Sequence, residues 1–298
     1  MQHRFKPEHL GFLSILAGAS CIGLAPIWVR LSELGPVATA FHRLLLALPF
    51  LWLWQIWSPV EQGTEGDQNH SMPSMVWFAL AGLMFALDMA FWHESLHHTS
   101  VANATLLTNV APVFVTIAAR FLFNEQIPKW FLLGMGFTLV GAILLSGASL
   151  NASKDHLYGD LIAIVAAVFY AAYMLSLKQL RRYASTAQVL ARTAPFSALV
   201  LGLIAWFLDE PMVPESTHGW GILIALAFTG QVLGQGLIAY GFKHLTASLS
   251  SVSLLLQPLV AAIAAWILLK ESMVTSQLLG GVIILAGIFL ARRSSLRP

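Results

Sequence analysis

The sequence predicts an all-α integral membrane protein whose ten transmembrane helices form two inverted five-helix repeats. The first observation is the composition: 57% of the 298 residues are hydrophobic and 10% are charged, against about 25% charged residues in ordinary soluble domains. The mean hydropathy is +0.74. The second observation is that ten segments are apolar over about 20 residues, which is the length that an α-helix needs to cross a bilayer. The third is that the two halves of the chain align with each other.

Ten segments meet this length criterion, and the connectors between them are short. The longest polar connector, "SPVEQGTEGDQNHSMPS", separates the second and third spans. No segment is left over for a soluble domain. The chain contains no G-x-x-x-x-G-K-[ST] loop, so we expect no nucleotide hydrolysis. The predicted spans cover residues 10–30, 36–57, 75–96, 100–123, 130–148, 158–178, 186–208, 219–241, 247–269 and 276–292.

Lysine and arginine concentrate in alternate connectors, which predicts the orientation of the chain. The odd-numbered connectors hold only Arg30, Lys154 and Lys270. The tails and the even-numbered connectors hold eleven: Arg4, Lys6, Arg120, Lys129, Lys178, Arg181, Arg182, Lys243, Arg292, Arg293 and Arg297. We therefore expect a multi-pass protein of the plasma (inner) membrane with both termini in the cytoplasm. The net charge is +2 and the basic residues form no stripe, so nucleic acid is not an expected partner.

The second half of the chain repeats the first. At an offset of 146, the aligned pairs are Pro112 and Pro258, Glu125 and Glu271, Gly134 and Gly280, and Gly141 and Gly287. An offset of 149 aligns Arg43 with Arg192. The predicted domains are residues 1–149 and 150–298. Because five is odd, the second copy enters the membrane from the opposite side, as in many secondary transporters. Such halves can exchange conformations, so that a site between them faces each side of the membrane in turn.

Two glycine-spaced segments carry a resemblance to a known family. Each contains a glutamate that closes one span and then the glycine-spaced span that follows it: "FNEQIPKWFLLGMGFTLVGAILL" in the first half and "LKESMVTSQLLGGVIILAGIFLAR" in the second. Together with an arginine early in span two, they resemble the EamA family of the drug/metabolite transporter superfamily over essentially all ten spans. The resemblance implies a secondary-active permease, most often an exporter of amino acids or other small metabolites, with a central cavity. It also implies peripheral fifth and tenth spans, where glycines let helices approach closely.

Polar side chains at mid-membrane depth form the candidate substrate site, because a charged group there costs about 2.5 to 3.5 kcal/mol on insertion scales. Asp88 lies near the middle of span three, and Trp92 follows one turn later on the same face. If a proton drives transport, Asp88 is the candidate proton carrier. The alternative for Asp88 is a protonated carboxyl that is hydrogen-bonded to a neighbouring helix. The amides of the site are Asn109, Gln231, Gln235 and Gln257; each could equally be an interhelical hydrogen-bonding group.

Arg43 and Arg192 also belong to the candidate site. Each lies about two turns inside a helix, close enough to an interface to extend its charged end toward water. Either arginine could pair with a carboxylate of the substrate or could bind backbone carbonyls of the bundle. By contrast, Glu125 and Glu271 lie in connectors at span ends, and we expect them to tie a loop to a neighbouring helix or to cap it.

The segment "HESLHH", residues 93–98, contains the H-E-x-x-H spacing of zinc metalloproteases. An intramembrane protease using His93, Glu94 and His97 is therefore the alternative function. Such a site needs a third protein ligand from elsewhere, and the repeat carries "AYGFKH" at the matching position. We therefore expect no enzyme and no metal. Instead, His93, Glu94 and His98 are candidate gating residues at the outer mouth, because an imidazole titrates near neutral pH.

The expected partners are the lipid bilayer and a small-molecule substrate, with proton coupling as an open possibility. No cofactor is expected. The single cysteine, Cys21, excludes an intramolecular disulfide and a cysteine-clustered metal site. The expected oligomeric state is a monomer, with a dimer as the alternative.

Overall fold

The computed structural model is helical throughout the part of the chain that it describes. The described residues are 7–58, 73–99, 101–146, 157–268, 270 and 274–295. Ten helical spans in these ranges are long and apolar enough to cross a membrane, which confirms the predicted fold class. The spans are Pro7–Leu31, Pro36–Trp57, Met75–Ser95, Ala104–Leu122, Lys129–Ser146, Leu157–Leu180, Thr186–Phe207, Thr217–His244, Ala247–Leu268 and Thr275–Ser294.

Several of these spans are built from more than one helix. The helices of the first half are α1 Pro7–Gly23, α2 Ala25–Leu31, α3 Pro36–Leu45, α4 Leu48–Trp57, α5 Met75–His98, α6 Val101–Thr108, α7 Ala111–Leu122 and α8 Lys129–Ser146. Those of the second half are α9 Leu157–Leu180, α10 Thr186–Phe207, α11 Thr217–Leu226, α12 Gly236–His244, α13 Ala247–Ser253, α14 Leu256–Leu268 and α15 Thr275–Ser295. A π-helical segment, Ala227–Gln235, joins α11 to α12 in span 8.

Proline positions explain the breaks in spans 1, 2, 4 and 9. The breaks lie shortly before Pro26, Pro49, Pro112 and Pro258, respectively. A proline inside a helix has no N–H to donate, and its ring clashes with the carbonyl four residues earlier. Membrane helices tolerate such breaks where neighbouring groups satisfy the freed backbone. The broken spans therefore present backbone carbonyls at depths where a regular helix would not.

The contacts of the chain group into two compact units. Unit 1 comprises Met1–Ala86 with Tyr173–Leu245, and unit 2 comprises Leu87–Ala172 with Thr246–Pro298. Helices α5 and α9 contribute residues to both units. Each unit thus contains residues from both sequence repeats. The two compact units therefore do not coincide with the two repeats. The division into repeats at residues 1–149 and 150–298 stays a prediction from sequence.

In unit 1, α1 packs along α12 and the π-helical segment, while α10 packs on α3 and α4. Glycines form the first of these contacts. A Cβ atom at Gly18 would lie 2.7 Å from the carbonyl oxygen of Gly234, and one at Gly241 would lie 2.8 Å from that of Gly11. Backbone therefore meets backbone at two points seven residues apart on each helix. We call this contact the first glycine seam.

In unit 2, α15 packs along α8, and α13 packs on α7. The contact of α8 with α15, the second glycine seam, uses the same spacing. A Cβ atom at Gly134 would lie 2.7 Å from the carbonyl oxygen of Gly287, and one at Gly141 would lie 2.7 Å from that of Gly280. The outer faces of both helices are apolar and exposed. The close approach of the fifth and tenth spans agrees with the expectation drawn from their glycines.

Candidate functional site

The π-helical segment of span 8 is the centre of the polar cluster in unit 1. In a π-helix the hydrogen bonds run from residue i to i+5, and such segments occur frequently at functional sites. Gln231 and Gln235 lie in this segment and are buried. Gly230 and Gly234 lie beside them; a Cβ atom at Gly234 would come 2.6 Å from the Ile22 side chain. The segment therefore combines close helix packing with two buried amides.

Arg43 of α3 reaches the backbone of this segment. Its Nη2 donates a hydrogen bond to the carbonyl oxygen of Gly230 at 3.2 Å, and the side chain is 5% exposed. Because Gly230 has no side chain, the guanidinium can lie against it: a Cβ atom there would be 3.3 Å from the arginine Nε. The guanidinium carbon also lies 6.0 Å from the centre of the Phe85 ring. A buried cation is thus held beside the two amides.

Two aromatic rings extend this cluster to Gln235. The Phe85 ring stacks on that of Tyr173, with 4.5 Å between ring centres and 24° between ring planes. The Tyr173 hydroxyl donates a hydrogen bond to Gln235 Oε1 at 3.3 Å. The contacts therefore run without interruption from Arg43 through Phe85 and Tyr173 to Gln235. All of these residues belong to unit 1.

Gln231 is the member of the cluster with spare hydrogen-bonding capacity. It is 1% exposed, and its Oε1 has no hydrogen-bond partner among the described residues. Leaving a buried acceptor without a donor costs about 1 to 3 kcal/mol, so such atoms are uncommon away from functional positions. The atom could accept a hydrogen bond from an N–H or O–H group of a bound molecule.

The repeat-related arginine has a different environment. The Arg192 guanidinium carbon lies 5.3 Å from the centre of the Phe78 ring, and the side chain is half-buried. The residue before it, Ala191, accepts a hydrogen bond from Trp52 Nε1 at 3.3 Å. The structure thus gives the two predicted arginines separate contacts: Arg43 binds the π-helical segment, whereas Arg192 packs on an aromatic ring.

Four other predicted site residues belong to unit 2. Asp88 and Trp92 lie one turn apart on α5, and both are half-buried. Asn109 lies at the break between α6 and α7 and is also half-buried. Gln257 lies near the start of α14, and its Nε2 is buried without a hydrogen-bond partner among the described residues. The role of these four residues in substrate binding stays a prediction.

The predicted gating residues lie at the end of α5. His93 is buried, and its Nδ1 lies 2.7 Å from the carbonyl oxygen of Met89. The exposed His98 pairs with Glu94, with 3.1 Å from Nε2 to Oε1, and its ring meets the Tyr158 ring edge-on at 4.9 Å. This end of α5 is therefore tied to the start of α9. Gating itself is not tested by these contacts.

The zinc-protease alternative finds no support in this geometry. Among the described residues, no group of three His, Cys, Asp or Glu side chains is arranged to hold a metal ion. The side chain of His97 lies outside the described residues. Glu94, which would act as the catalytic base, instead binds His98 on its own helix. The H-E-x-x-H spacing is thus part of a helix end with an i, i+4 contact between Glu94 and His98.

Carboxylates cap helices at three places. Glu125 accepts hydrogen bonds from the backbone N–H of Ala247 at 2.6 Å and from the Ser248 hydroxyl at 2.6 Å, and so caps α13. This is the structural role expected for it; Glu271 lies outside the described residues. Glu210 caps α3, accepting from the N–H of Ala38 at 2.7 Å. An acidic side chain at a helix N-terminus satisfies free N–H groups and complements the helix dipole.

The third capping carboxylate, Glu33, binds the start of α11. It accepts hydrogen bonds from the backbone N–H groups of Glu215 at 2.8 Å and Ser216 at 3.1 Å, and from the Ser216 hydroxyl. The hydroxyl and then the N–H of Ser216 lower the pKa of the Glu33 carboxyl below its usual value, because they stabilise the ionised form. Glu33 and Glu210 thus tie the connectors of unit 1 to helix ends.

Lys178 of α9 and Arg181, the residue that follows α9, bind the C-terminal half of span 8. Lys178 Nζ donates to the carbonyl oxygens of Phe242, at 2.8 Å, and Leu245. Arg181 is 1% exposed, and its Nε donates to the carbonyl oxygen of Ala239 at 3.0 Å. Lys178 thus satisfies carbonyls at the C-terminus of α12, as cations near a helix end commonly do, whereas Arg181 binds a carbonyl within the helix. In the sequence these residues contributed only to the charge count that predicts orientation.

Sequence reasoning missed the aromatic and basic neighbours of the predicted amides. Phe85 and Tyr173 read as ordinary apolar residues of spans 3 and 6, although a phenol hydroxyl in mid-span is a detectable signal because it needs a partner. Lys178, in the last turn of α9, and Arg181, directly after that helix, lie three residues apart. That spacing places both on one face of a helix, which could have indicated a shared target.

An open cavity lies beside the π-helical segment in unit 1. Its volume is 360 Å³, and residues of spans 2, 7 and 8 line it, including Trp54, Thr186 and Tyr240. Val232 and Leu233 of the π-helical segment also face it. Thr186 Oγ1 is buried and has no hydrogen-bond partner among the described residues. The segment therefore has an open cavity next to the residues that separate Gln231 from Gln235.

Comparison with known proteins places the chain in a family of transporters. A model of the EamA-like transporter family matches residues 9–147 and 157–293. A protein of known crystal structure superposes with a TM-score of 0.79, covering 98% of this chain and 99% of that one at 18% sequence identity. The superposition shows a shared fold.

Several relatives share 26% to 28% sequence identity with this chain over most of their length. An uncharacterized transporter of Archaeoglobus fulgidus is 28% identical over 89% of this chain and 90% of its own. The pseudopaline exporter CntI of Pseudomonas aeruginosa is 26% identical over 71% of this chain and 73% of its own. The uncharacterized transporter YoaV of Bacillus subtilis is 26% identical over 75% and 76%, respectively. The names of these relatives indicate transport and give no support to proteolysis.

Proposed function

Because this chain belongs to the EamA-like transporter family, we propose that it is a secondary-active exporter of a small polar metabolite. It works by alternating access in the plasma (inner) membrane, with both termini in the cytoplasm. The uneven distribution of lysine and arginine supports this orientation. A relative named as an exporter supports the direction. The substrate is an amino acid or a molecule with similar charged groups.

The observation that carries the proposal is the polar cluster around the π-helical segment. Arg43 supplies a buried cation, which suits a carboxylate. Gln231 supplies an acceptor whose partners do not come from the described residues, which suits an ammonium or amide N–H. A substrate with both groups satisfies both side chains. Tyr173 holds Gln235 through its hydroxyl, so that the opposite end of the segment stays fixed while the substrate binds.

Asp88 serves as the proton carrier in this proposal. An ionisable residue at this depth in a transporter is commonly part of an ion pathway. In proteoliposomes with a pH gradient, Asp88→Asn is expected to abolish the dependence of transport on that gradient while leaving exchange intact. Unchanged dependence on the gradient would contradict the role of Asp88 and would leave the binding site at Arg43 untouched.

The binding site is tested by transport in proteoliposomes. The substrate is first identified by comparing metabolites inside and outside cells with and without the protein. Counterflow of that labelled substrate is then measured for Arg43→Gln and Gln231→Leu. Losing a hydrogen bond to a charged group costs about 1.5 to 3 kcal/mol, so Arg43→Gln should raise KM about tenfold or more.

Matched controls separate binding from general damage. Arg30→Gln removes an exposed arginine from the same unit and should leave KM unchanged. Arg192→Gln removes the repeat-related arginine, which packs on Phe78, and should change KM less than Arg43→Gln does. If Arg43→Gln and Arg30→Gln transport equally well, with equal yields of monodisperse protein, the proposed site is wrong.

A further inference from the structure

A small cavity opens at one end of the second glycine seam. Its volume is 180 Å³, and it is lined by Trp130 at the start of α8 and by Leu290, Arg293 and Ser294 at the end of α15. Ser294 is buried, and its hydroxyl donates to the carbonyl oxygen of Ala291 at 2.9 Å. The side chains in this cavity that can donate hydrogen bonds to a bound molecule are therefore the Arg293 guanidinium and the Trp130 indole.

Positive charge concentrates around this cavity. Lys129 precedes Trp130, and Arg292 precedes Arg293. Neither α8 nor α15 contains an aspartate or a glutamate. Glu125, four residues before Lys129 in the sequence, is occupied in capping α13. The cavity therefore attracts an anion, and it repels the ammonium group of a zwitterionic molecule.

The size and surroundings of the cavity select part of a larger molecule. Pockets for whole small ligands measure about 300 to 1,000 Å³, so that 180 Å³ suits a headgroup. Beyond the cavity, the outer faces of both helices expose large apolar side chains, including Leu133 at 45% and Phe289 at 63%. Trp130, 60% exposed, has the amphipathic side chain that is enriched where hydrocarbon meets headgroups. Acyl chains can lie along these faces while the headgroup enters the cavity.

We propose that this cavity binds the phosphate headgroup of an acidic phospholipid, phosphatidylglycerol. Arg293 and Lys129 pair with the phosphodiester, the Trp130 indole N–H donates to the headgroup, and the acyl chains pack on α8 and α15. The bound lipid bridges the ends of the two helices of the second glycine seam. None of its residues belongs to the polar cluster at the π-helical segment, so that variants of this site leave that cluster unaltered.

The proposal is tested by lipid binding to the purified, detergent-solubilised full chain. Native mass spectrometry and thermal unfolding are measured with phosphatidylglycerol, with phosphatidylcholine of the same acyl chains, and with inorganic phosphate. Phosphatidylglycerol should bind more tightly than phosphatidylcholine and should raise Tm. Because each basic residue near a charged lipid surface contributes about fivefold to binding, Arg293→Gln should weaken phosphatidylglycerol binding by that factor, and Arg293→Lys should retain most of it.

The matched control is Arg182→Gln, which removes an exposed arginine from the turn between α9 and α10. It should bind phosphatidylglycerol as the unaltered protein does. Trp130→Phe keeps an aromatic ring but loses the indole N–H donor, and it is expected to weaken binding as well. It serves as a second variant if Arg293→Gln folds poorly. Equal protection by phosphatidylcholine or by inorganic phosphate would overturn the proposal, as would equal binding by the Arg293 and Arg182 variants.

Discussion

The two glycine seams use the same packing device in different ways. Each joins two spans through glycines that are seven residues apart on both helices. In the second seam, α8 and α15 are regular α-helices, and neither carries an ionisable residue between its ends. In the first seam, span 8 widens into a π-helical segment that polar side chains from other spans bind. The polar side chains that bind span 8 or the residues flanking it include Ser14, Glu33, Arg43, Tyr173, Lys178 and Arg181.

The difference shows what each kind of contact can do. Close backbone approach alone stabilises a regular helix pair through dispersion and needs no polar group. A π-helical segment changes the backbone hydrogen-bond pattern and presents side chains in directions that an α-helix would not. Holding it in place requires partners for its carbonyls, which Arg43 supplies at Gly230. The second seam is therefore structural, whereas the first positions the buried amides Gln231 and Gln235.

The strongest test of this comparison alters the second seam sterically. Gly141→Leu places a side chain where a Cβ atom would lie 2.7 Å from the Gly280 carbonyl oxygen. Backbone cannot move aside there as a flexible side chain could, so the substitution should destabilise the protein by about 1 to 3 kcal/mol or more. Gly136→Leu on the same helix is the control, since nothing lies within 4 Å of a Cβ atom at Gly136. Thermal unfolding in detergent measures both; similar Tm values would contradict a steric seam.

A smaller effect is expected where span 8 is bound by charge. Arg181→Met keeps an apolar stem but removes the donor to the Ala239 carbonyl oxygen within α12 and to that of Ala184. Loss of a hydrogen bond from a charged group should cost about 1.5 to 3 kcal/mol, partly offset because a buried cation no longer needs a partner. The neighbouring Arg182→Met removes an exposed arginine and should leave Tm within experimental scatter. A Tm for Arg181→Met equal to that of Arg182→Met would show that the buried cation does not hold span 8.

Sequence alone indicated the second glycine seam, but it indicated neither the first seam nor the π-helical segment. Apolar length predicts the spans, and the repeated glycines Gly134, Gly141, Gly280 and Gly287 predict a close contact, because both signals are local. Gln231 and Gln235 stand out as amides in a membrane helix. Arg43 and Tyr173, which bind this segment, are distant from it in the sequence. Nine residues are also too few to show a periodic pattern that would predict π-helical geometry. The partners of a buried polar group are therefore what the sequence leaves open.

The smallest expected effect concerns Glu33, a connector residue that binds the start of α11 and thus the start of span 8. Since hydrogen bonds from Ser216 lower the pKa of Glu33 in the folded protein, this carboxylate contributes stability above the ordinary glutamate pKa of about 4.3. The contribution is lost as the pH falls through the lower folded value. Because Glu33 is exposed to solvent, the change in Tm should be slight. Between pH 6 and about pH 3, the Tm of a Glu33→Gln variant should fall less than the Tm of the unaltered protein. Parallel Tm curves for the two proteins over that interval would show that Glu33 does not anchor the start of span 8. Span 8 would then be bound by the charged residues Arg43, Lys178 and Arg181.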